Sequence, residues 1–344
     1  MEDKIRDVGV VPLMRKMGQT EQADIYHLFH FMSWDTMLQI IAGHNLNMLE
    51  YGNHPVADWI SATLGFNMLC YLFPPASYFR PSYVKHLHTM YTDILNTFYA
   101  TRDNHDKRLL DHFVDFKDHA TGESMDYSGV YAELHNFLLA STDTTANAMT
   151  WIVHMLMEHP HIQDKLHKEI DDAKLAPDAN GYINSLQCAD RLPYLAAVIK
   201  ETLRFLPTAS TTFARIVPPG GREVLGHFLP QGTECAISIY TLHHSPLLWD
   251  RPEEFLPDRW FNDSIKRDSR HFSPFLLGPR ACIGKELANM VMHLVITNLV
   301  RCFRFSKPDM ANKVTPCATP IMKPAKNHLY AHIHPRIGKG FSNI

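Results

Sequence analysis

Three short segments of the 344-residue chain carry residue types whose spacing could do chemistry. The sharpest is Phe275-Leu-Leu-Gly278-Pro-Arg280-Ala-Cys282-Ile-Gly284. A cysteine at the start of a helix receives backbone N–H groups and the positive end of the macrodipole, which favour thiolate over thiol. The thiolate is the form that binds metal. The plain alternative is a buried free cysteine ahead of an apolar helix, the usual fate of a lone Cys. The second segment is Glu201-Thr-Leu-Arg204, where the i,i+3 spacing puts carboxylate and guanidinium on one helix face. Alone it is weak, since most such pairs are exposed and worth under ~1 kcal/mol. The third is Ala140-Ser141-Thr142-Asp143-Thr144-Thr145, in the middle of a long helical run. Three Thr and an Asp are poor helix formers for an interior. Their hydroxyls bond back to the i−4 carbonyl and bend helices, and such defects often sit at functional sites.

The elements that must position these groups follow from periodicity and punctuation. Residues 21–110 read as helices with apolar positions three and four apart, broken at Gly43, His54-Pro55, Pro74-Pro75 and Pro81. Residues 126–158 form one long helix, stopped by His159-Pro160, and a second runs from about 161 to 174. Residues 175–191 are turn-rich. Pro193 opens a helix that runs to about Arg204 and stops before Pro207. From 207 to 270 the texture changes to short β-prone pieces, Thr211–Val217, Glu223–Phe228 and Glu234–Tyr240, punctuated by Pro and Gly. A last helix is expected from near Cys282 to about Phe303, followed by short strands and loops. The class is mainly α with a small β region.

Composition excludes several functions. Lys plus Arg total 33 and Asp plus Glu 36, a net charge of −3, which is no footprint of a nucleic-acid binder. The six Cys are scattered with no CxxC pair, so a zinc ribbon, a thioredoxin-type site and a dense disulfide scaffold are excluded and a reducing compartment is expected. The 22 His include no pair with strong metal-ligand spacing. The N-terminus has no apolar h-region, and no window reaches the ~18 apolar residues of a spanning helix. Ile60–Phe73 reads as a buried or surface-lying helix, the one region suited to peripheral contact with a bilayer.

The first segment matches Phe-x-x-Gly-x-Arg-x-Cys-x-Gly at five fixed positions, which average usage gives in roughly one chain in ten thousand or fewer. It resembles the haem-binding loop of cytochromes P450. The other segments fall in that family's order: Ala-Ser-Thr-Asp-Thr-Thr, the Glu-x-x-Arg helix, Pro257-Asp-Arg259-Trp260, then the Cys loop. The likeness runs from roughly residue 20 to 330 and is nearest to fungal secondary-metabolism P450 monooxygenases. It implies one P450-like domain over residues 1–344 holding haem b, with Cys282 as axial iron ligand, whose thiolate assists O–O cleavage. Phe275 would pack beside the sulfur. Gly278 and Gly284 would let the backbone approach sulfur and porphyrin without a Cβ clash. Arg280, and also Arg215, would hold haem propionates with forked donors. Glu201, Arg204 and Arg259 would form a buried structural cluster behind the Cys loop. Asp143 and Thr144 would be the acid–alcohol pair that relays protons to dioxygen; Ser141 departs from the family's usual Gly.

The resemblance also implies partners. These are a small lipophilic substrate, O2 and NADPH-cytochrome P450 reductase, with no nucleic acid. Thr208–Phe213, the stretch around Phe137–Ala140, and Ala318–Ile321 would line the substrate pocket. Lys266, Arg267, Arg270 and Lys285 lie on the side where an acidic electron donor docks. The family normally has a longer N-terminal part with an anchor, the first sheet strands and a Trp- and Arg-bearing propionate helix. None of these can be placed here, so the expectation is an N-terminally shortened P450 fold. It would be cytoplasmic or peripherally associated with the endoplasmic reticulum. The leading function is a haem-thiolate monooxygenase of a small lipophilic metabolite. The competing reading is a non-catalytic remnant that binds haem weakly or serves as an interaction module. A third keeps haem without oxygenation, as an isomerase or dehydratase; Asp143-Thr144 argues against it.

Overall fold

Proline marks the starts of the helices that carry the site. Pro160 and Pro193 stand in the first turn, where a missing N–H costs nothing, and open Pro160–Asp172 and Pro193–Phe205. The computed structural model describes residues 1–52, 54–79, 81–102, 107–178, 181–184, 188, 191–210, 213–262, 271–308, 313–318 and 321–336. The described elements include, in chain order, α1 (Val11–Gly18), β1 (Gln22–Asp24), α2 (Ile25–Ala42), α3 (Val56–Leu72), α4 (Ser82–Ala100), α5 (Leu109–Asp115), α6 (Tyr127–Glu158), α7 (Pro160–Asp172) and α8 (Pro193–Phe205). There follow β2 (Arg215–Ile216), β3 (Arg222–Val224), β4 (His227–Leu229), β5 (Glu234–Cys235), α9 (Ile239–His243), α10 (Lys285–Cys302), β6 (Phe303–Ser306), β7 (Pro316–Ala318), β8 (Met322–Pro324) and β9 (Tyr330–Pro335). No described helix is long and apolar enough to cross a membrane.

The chain forms two compact units. One comprises Met1–Thr20 and Leu28–Ala146, the other Glu21–His27 and Asn147–Ile344. The first unit is helical, and its buried side chains include Leu13, Phe29, Met32, Leu38, Tyr91, Leu95, Phe98 and Leu138. Its breaks fall where proline and glycine predict them. α2 ends before Gly43, whose φ of +69° is the left-handed cap that glycine adopts without strain. Beyond the break, buried Arg108 bonds the Phe98 and Ala42 carbonyls and Thr101, and pairs with Asp111 at 3.0 Å. These bonds clamp the end of α4 to the start of α5.

The second unit packs Trp151, Leu166, Val198, Val295, Leu299 and Phe305 in its interior, among others. Its three-stranded antiparallel sheet has the order β1-β9-β6, with Asp24 opposite Tyr330 and Phe305 opposite Ile333. Here the structure corrects the sequence reading, which made residues 21–110 wholly helical. Gln22–Asp24 is a strand because its partner lies some 300 residues away, where no local pattern shows it. The β-prone piece Glu223–Phe228 is likewise not one strand. Leu225 (φ +50°) and Gly226 (φ +78°) form a two-residue turn with both residues left-handed, and β3 folds back on β4. Of Glu234–Tyr240 only the first two residues are strand; Ser238 accepts the Thr241 N–H at 3.2 Å and starts α9 instead. The last helix begins at Lys285, with Gly284 as its cap, rather than at Cys282.

Candidate functional site

The Cys loop is built by hydrogen bonds and two left-handed positions, Leu276 (φ +60°) and Gly278. Leu276 N–H bonds Ser273 O at 3.0 Å, a short 3-10 turn spans Gly278–Arg280, and Cys282 N–H bonds Phe275 O at 2.8 Å. The last bond closes the loop that carries the sulfur. Gly278 has φ +72°, so its glycine is required by conformation; a Cβ there would meet nothing within 4 Å. At Gly284 a Cβ would sit 3.9 Å from Cys282 Sγ, an ordinary contact. Gly278 thus carries a turn requirement of its own, which the motif did not announce. The same 3.9 Å places the sulfur against the start of α10. Cys282 precedes the cap by two residues, so it faces the helix terminus across a turn rather than from inside it.

What holds the loop from behind is a buried charge cluster. Glu201 and Arg204 are both fully buried on α8. Glu201 Oε1 accepts from Arg204 Nη2 (2.9 Å), Arg259 Nε (3.0 Å) and Leu256 N (2.9 Å). Its Oε2 accepts from Arg204 Nε (3.1 Å) and Trp260 Nε1 (2.9 Å). Arg204 also donates to the carbonyls of His243, Pro252 and Glu254, and Arg259 to those of Asp250, Arg251 and Glu254. A carboxylate out of water is tolerable only when its lone pairs are filled in this way.

Two residues that sequence reasoning did not assign a role carry the cluster's position forward to the loop. Trp260, held by Glu201, meets the Phe272 ring edge-on at 4.6 Å. His243, whose carbonyl is held by Arg204, stacks its ring on Phe272 at 5.5 Å and accepts the Ser273 N–H at Nε2 at 3.1 Å. Ser273 in turn caps Leu276. No local signature marks His243, because its partners lie 30 and 39 residues away.

Burial, with the nearby Arg204 charge, holds the His243 imidazole down at about 4 from an ordinary 6.5. As pH falls below 6.5 the unfolded chain takes up a proton that the folded chain refuses until about 4. Stability contributed by this residue is therefore complete above 6.5 and lost between 6.5 and 4. The loss is about 3 kcal/mol for this fully buried ring. Urea titrations at pH 7.5, 6 and 5 on wild type and His243→Phe check it: the acid loss is expected to shrink in the variant.

The loop itself is open. Gly278 through Ile283 are exposed, with Leu277 at 58% and Ile283 at 89%. Cys282 is a free, exposed cysteine whose Sγ takes no hydrogen bond among the described residues. Among the described residues Arg280 makes no ion pair, and Arg215, exposed on β2, donates only to the carbonyls of Phe213 and Ala214. An exposed thiol, exposed aliphatic side chains and the Arg280 guanidinium, which has no carboxylate partner among the described residues, suit an apolar, anionic macrocycle carrying a soft-ligand metal. Haem with its propionates is such a group, and the residues present fit it.

Asp143 and Thr144 belong to the first unit, on the part of α6 that ends at Ala146. The helix is continuous there. Ser141, Thr142 and Thr144 donate their hydroxyls to the carbonyls of Phe137 (2.6 Å), Leu138 (2.7 Å) and Ala140 (2.7 Å), the back-bonding expected of them. Asp143 Oδ1 pairs with Nε2 of buried His30 on α2 at 2.9 Å. Sequence reasoning missed His30, which lies 113 residues from its partner.

Of the residues read as lining a substrate pocket, Thr208 is buried and its carbonyl accepts the N–H of Met322, the residue after Ile321, at 2.9 Å. Phe213 is 42% exposed. Thr211, Thr212, Thr319 and Pro320 lie outside the described residues, as do Lys266, Arg267 and Arg270 of the basic stretch. Lys285 is exposed at the start of α10.

Residues 9–331 match the family model of the cytochromes P450. The chain is 33% identical over 233 residues to cytochrome P450 monooxygenase helB2 of Aspergillus fumigatus, covering 66% of this chain and 45% of that one. It is 27% identical to cytochrome P450 monooxygenase FUS8 of Gibberella fujikuroi, over 87% of this chain and 60% of that one. It is 29% identical to cytochrome P450 monooxygenase mpsF of Macrophomina phaseolina, over 82% and 70%. The chain thus spans about half the length of the first two relatives.

Proposed function

Since the chain belongs to the cytochrome P450 family, we propose that it is a haem-thiolate monooxygenase that oxidises a small lipophilic metabolite, and that the family's cysteine ligand is Cys282. The observation that carries this reading is the loop 275–284, which exposes an unbonded thiol while the Glu201 cluster fixes its base. Haem b bound there would supply activation of O2 with electrons from an NADPH-dependent reductase, the thiolate assisting O–O cleavage.

Cys282 would be held as thiolate by its place against the start of α10 and by the iron. Arg280 and Arg215, without carboxylate partners among the described residues, would orient the propionates and keep the cofactor from rotating. Asp143 and Thr144 would hold and pass protons, the carboxyl steadied by His30 and the hydroxyl parked on the Ala140 carbonyl until needed. Thr208 and Ile321 would contact substrate. The single-domain reading over 1–344 and a secondary-metabolite substrate belong to the same proposal. So does peripheral contact with a membrane, supported by exposed Leu69, Phe73, Tyr78 and Phe79.

The test is coupling. With reductase, NADPH and O2, Thr144→Ala is expected to keep consuming NADPH while oxidised product falls and hydrogen peroxide rises. Among the described residues the hydroxyl bonds only the Ala140 carbonyl of its own helix, so the fold should not change. Coupling equal to wild type would contradict the relay.

A further inference from the structure

Far from the motifs in sequence, three metal-ligating side chains of the second unit converge at the junction of β1, α2 and the approach to β9. We infer that Asp24, His27 and His328 form a binding site for a divalent transition ion of zinc's class, with the remaining coordination position open to water.

The carboxylate is oriented by backbone. Asp24 Oδ1 accepts the N–H groups of Leu329 (3.0 Å) and Tyr26 (3.2 Å), the latter as cap of α2. That leaves Oδ2 for the imidazoles, with His27 Nδ1 at 2.6 Å and His328 Nδ1 at 2.5 Å. All three donor atoms lie within 4.8 Å of one another. The rings are preset by packing. His27 and His328 have centroids 4.9 Å apart, His328 stacks on Tyr330 at 5.5 Å, and His27 meets Tyr26 edge-on at 5.4 Å. Such prior orientation by outer partners is what tight metal sites need.

The donor set selects the ion. Two imidazole nitrogens and one carboxylate oxygen suit zinc and its neighbours better than hard, oxygen-seeking cations. Bonds of about 2.0–2.1 Å in a tetrahedral shell put ligand atoms about 3.3 Å apart. The two N···O contacts must therefore open by less than about 1 Å, once each Nδ1 has given its hydrogen-bond proton to the other ring nitrogen or to water. The rings have room to make that shift, being 41% and 44% exposed, whereas the carboxylate is 16% exposed and stays put. The ion would close a loop of 304 residues between Asp24 and His328, a structural staple independent of haem.

Cobalt(II) titration of the full, chelator-treated chain, followed by displacement with zinc, tests the site. One equivalent of cobalt with visible d–d absorption, displaced by one equivalent of zinc, is expected in haem-loaded protein. His328→Asn should weaken binding at least about a hundredfold, the upper end of what even an outer partner is worth. Asp24→Asn, which keeps a capping side chain, should weaken it about tenfold or more. His161→Asn should leave it unchanged. The inference is overturned if wild type takes up no stoichiometric ion, or if Asp24→Asn and His328→Asn bind as wild type does; the three groups are then only a hydrogen-bonded clasp. Should His328→Asn fail to fold, Asp24→Asn decides.

Discussion

Cys282→Ala is expected to fold as wild type does and to lose every thiolate signature of bound haem. The two halves of that expectation rest on different observations. The thiol is exposed and bonds to nothing described, so its removal should change stability by no more than about 0.5 kcal/mol. The bond that shapes the loop, from Cys282 N–H to Phe275 O, belongs to the backbone and survives the substitution. Ligation, by contrast, has no substitute: alanine offers no donor, and a neutral ligand from water or a stray imidazole gives a different absorption spectrum. Product formation should fall to that of a haem-free blank. Matching unfolding curves together with an altered reduced, carbonyl-saturated spectrum would fulfil the prediction. An unchanged spectrum would remove Cys282 from the iron.

Glu201→Gln is expected to destabilise the second unit by about 3–5 kcal/mol, the cost of stranding buried partners of a charge. Five donors converge on the two oxygens of Glu201, two of them from Arg204 and one from Arg259. An amide keeps one acceptor and turns the other into a donor facing donors. The cation on fully buried Arg204 then has only carbonyl dipoles to neutralise it. Haem uptake should fall further than stability alone explains, because Trp260 and His243 transmit the cluster's position to Phe272 and Ser273 at the root of the Cys loop. Urea unfolding checks the magnitude. A double variant, Glu201→Met with Arg204→Met, should cost less than the sum of its singles, since removing both charges leaves neither stranded. Strict additivity would show that the pair does not act as a unit.

Which parts of this account are legible in the chain itself depends on sequence distance. Cys282 and Arg280 sit within a ten-residue pattern, and Glu201 and Arg204 within one helical turn, so residue type and spacing point to them directly. The helix starts at Pro160 and Pro193 are legible because proline's missing N–H and fixed φ act locally. By the same logic His30, His243 and the strand Gln22–Asp24 are invisible, since each is defined by a partner 30 to some 300 residues away. The turn at Leu225-Gly226 was hidden differently. Leucine is an unusual occupant of a left-handed position, so the piece 223–228 reads as one strand although it folds as two. At Gly278 the residue type was legible, but the positive φ that needs it was not.

The identity of the iron ligand is tested most directly by the absorption spectrum of the wild-type chain after incubation with haem, reduction and saturation with carbon monoxide. The account predicts stoichiometric haem uptake and the strongly red-shifted Soret band of a thiolate-ligated carbonyl complex. Failure to take up haem, or the band of a nitrogen-ligated complex, would contradict it.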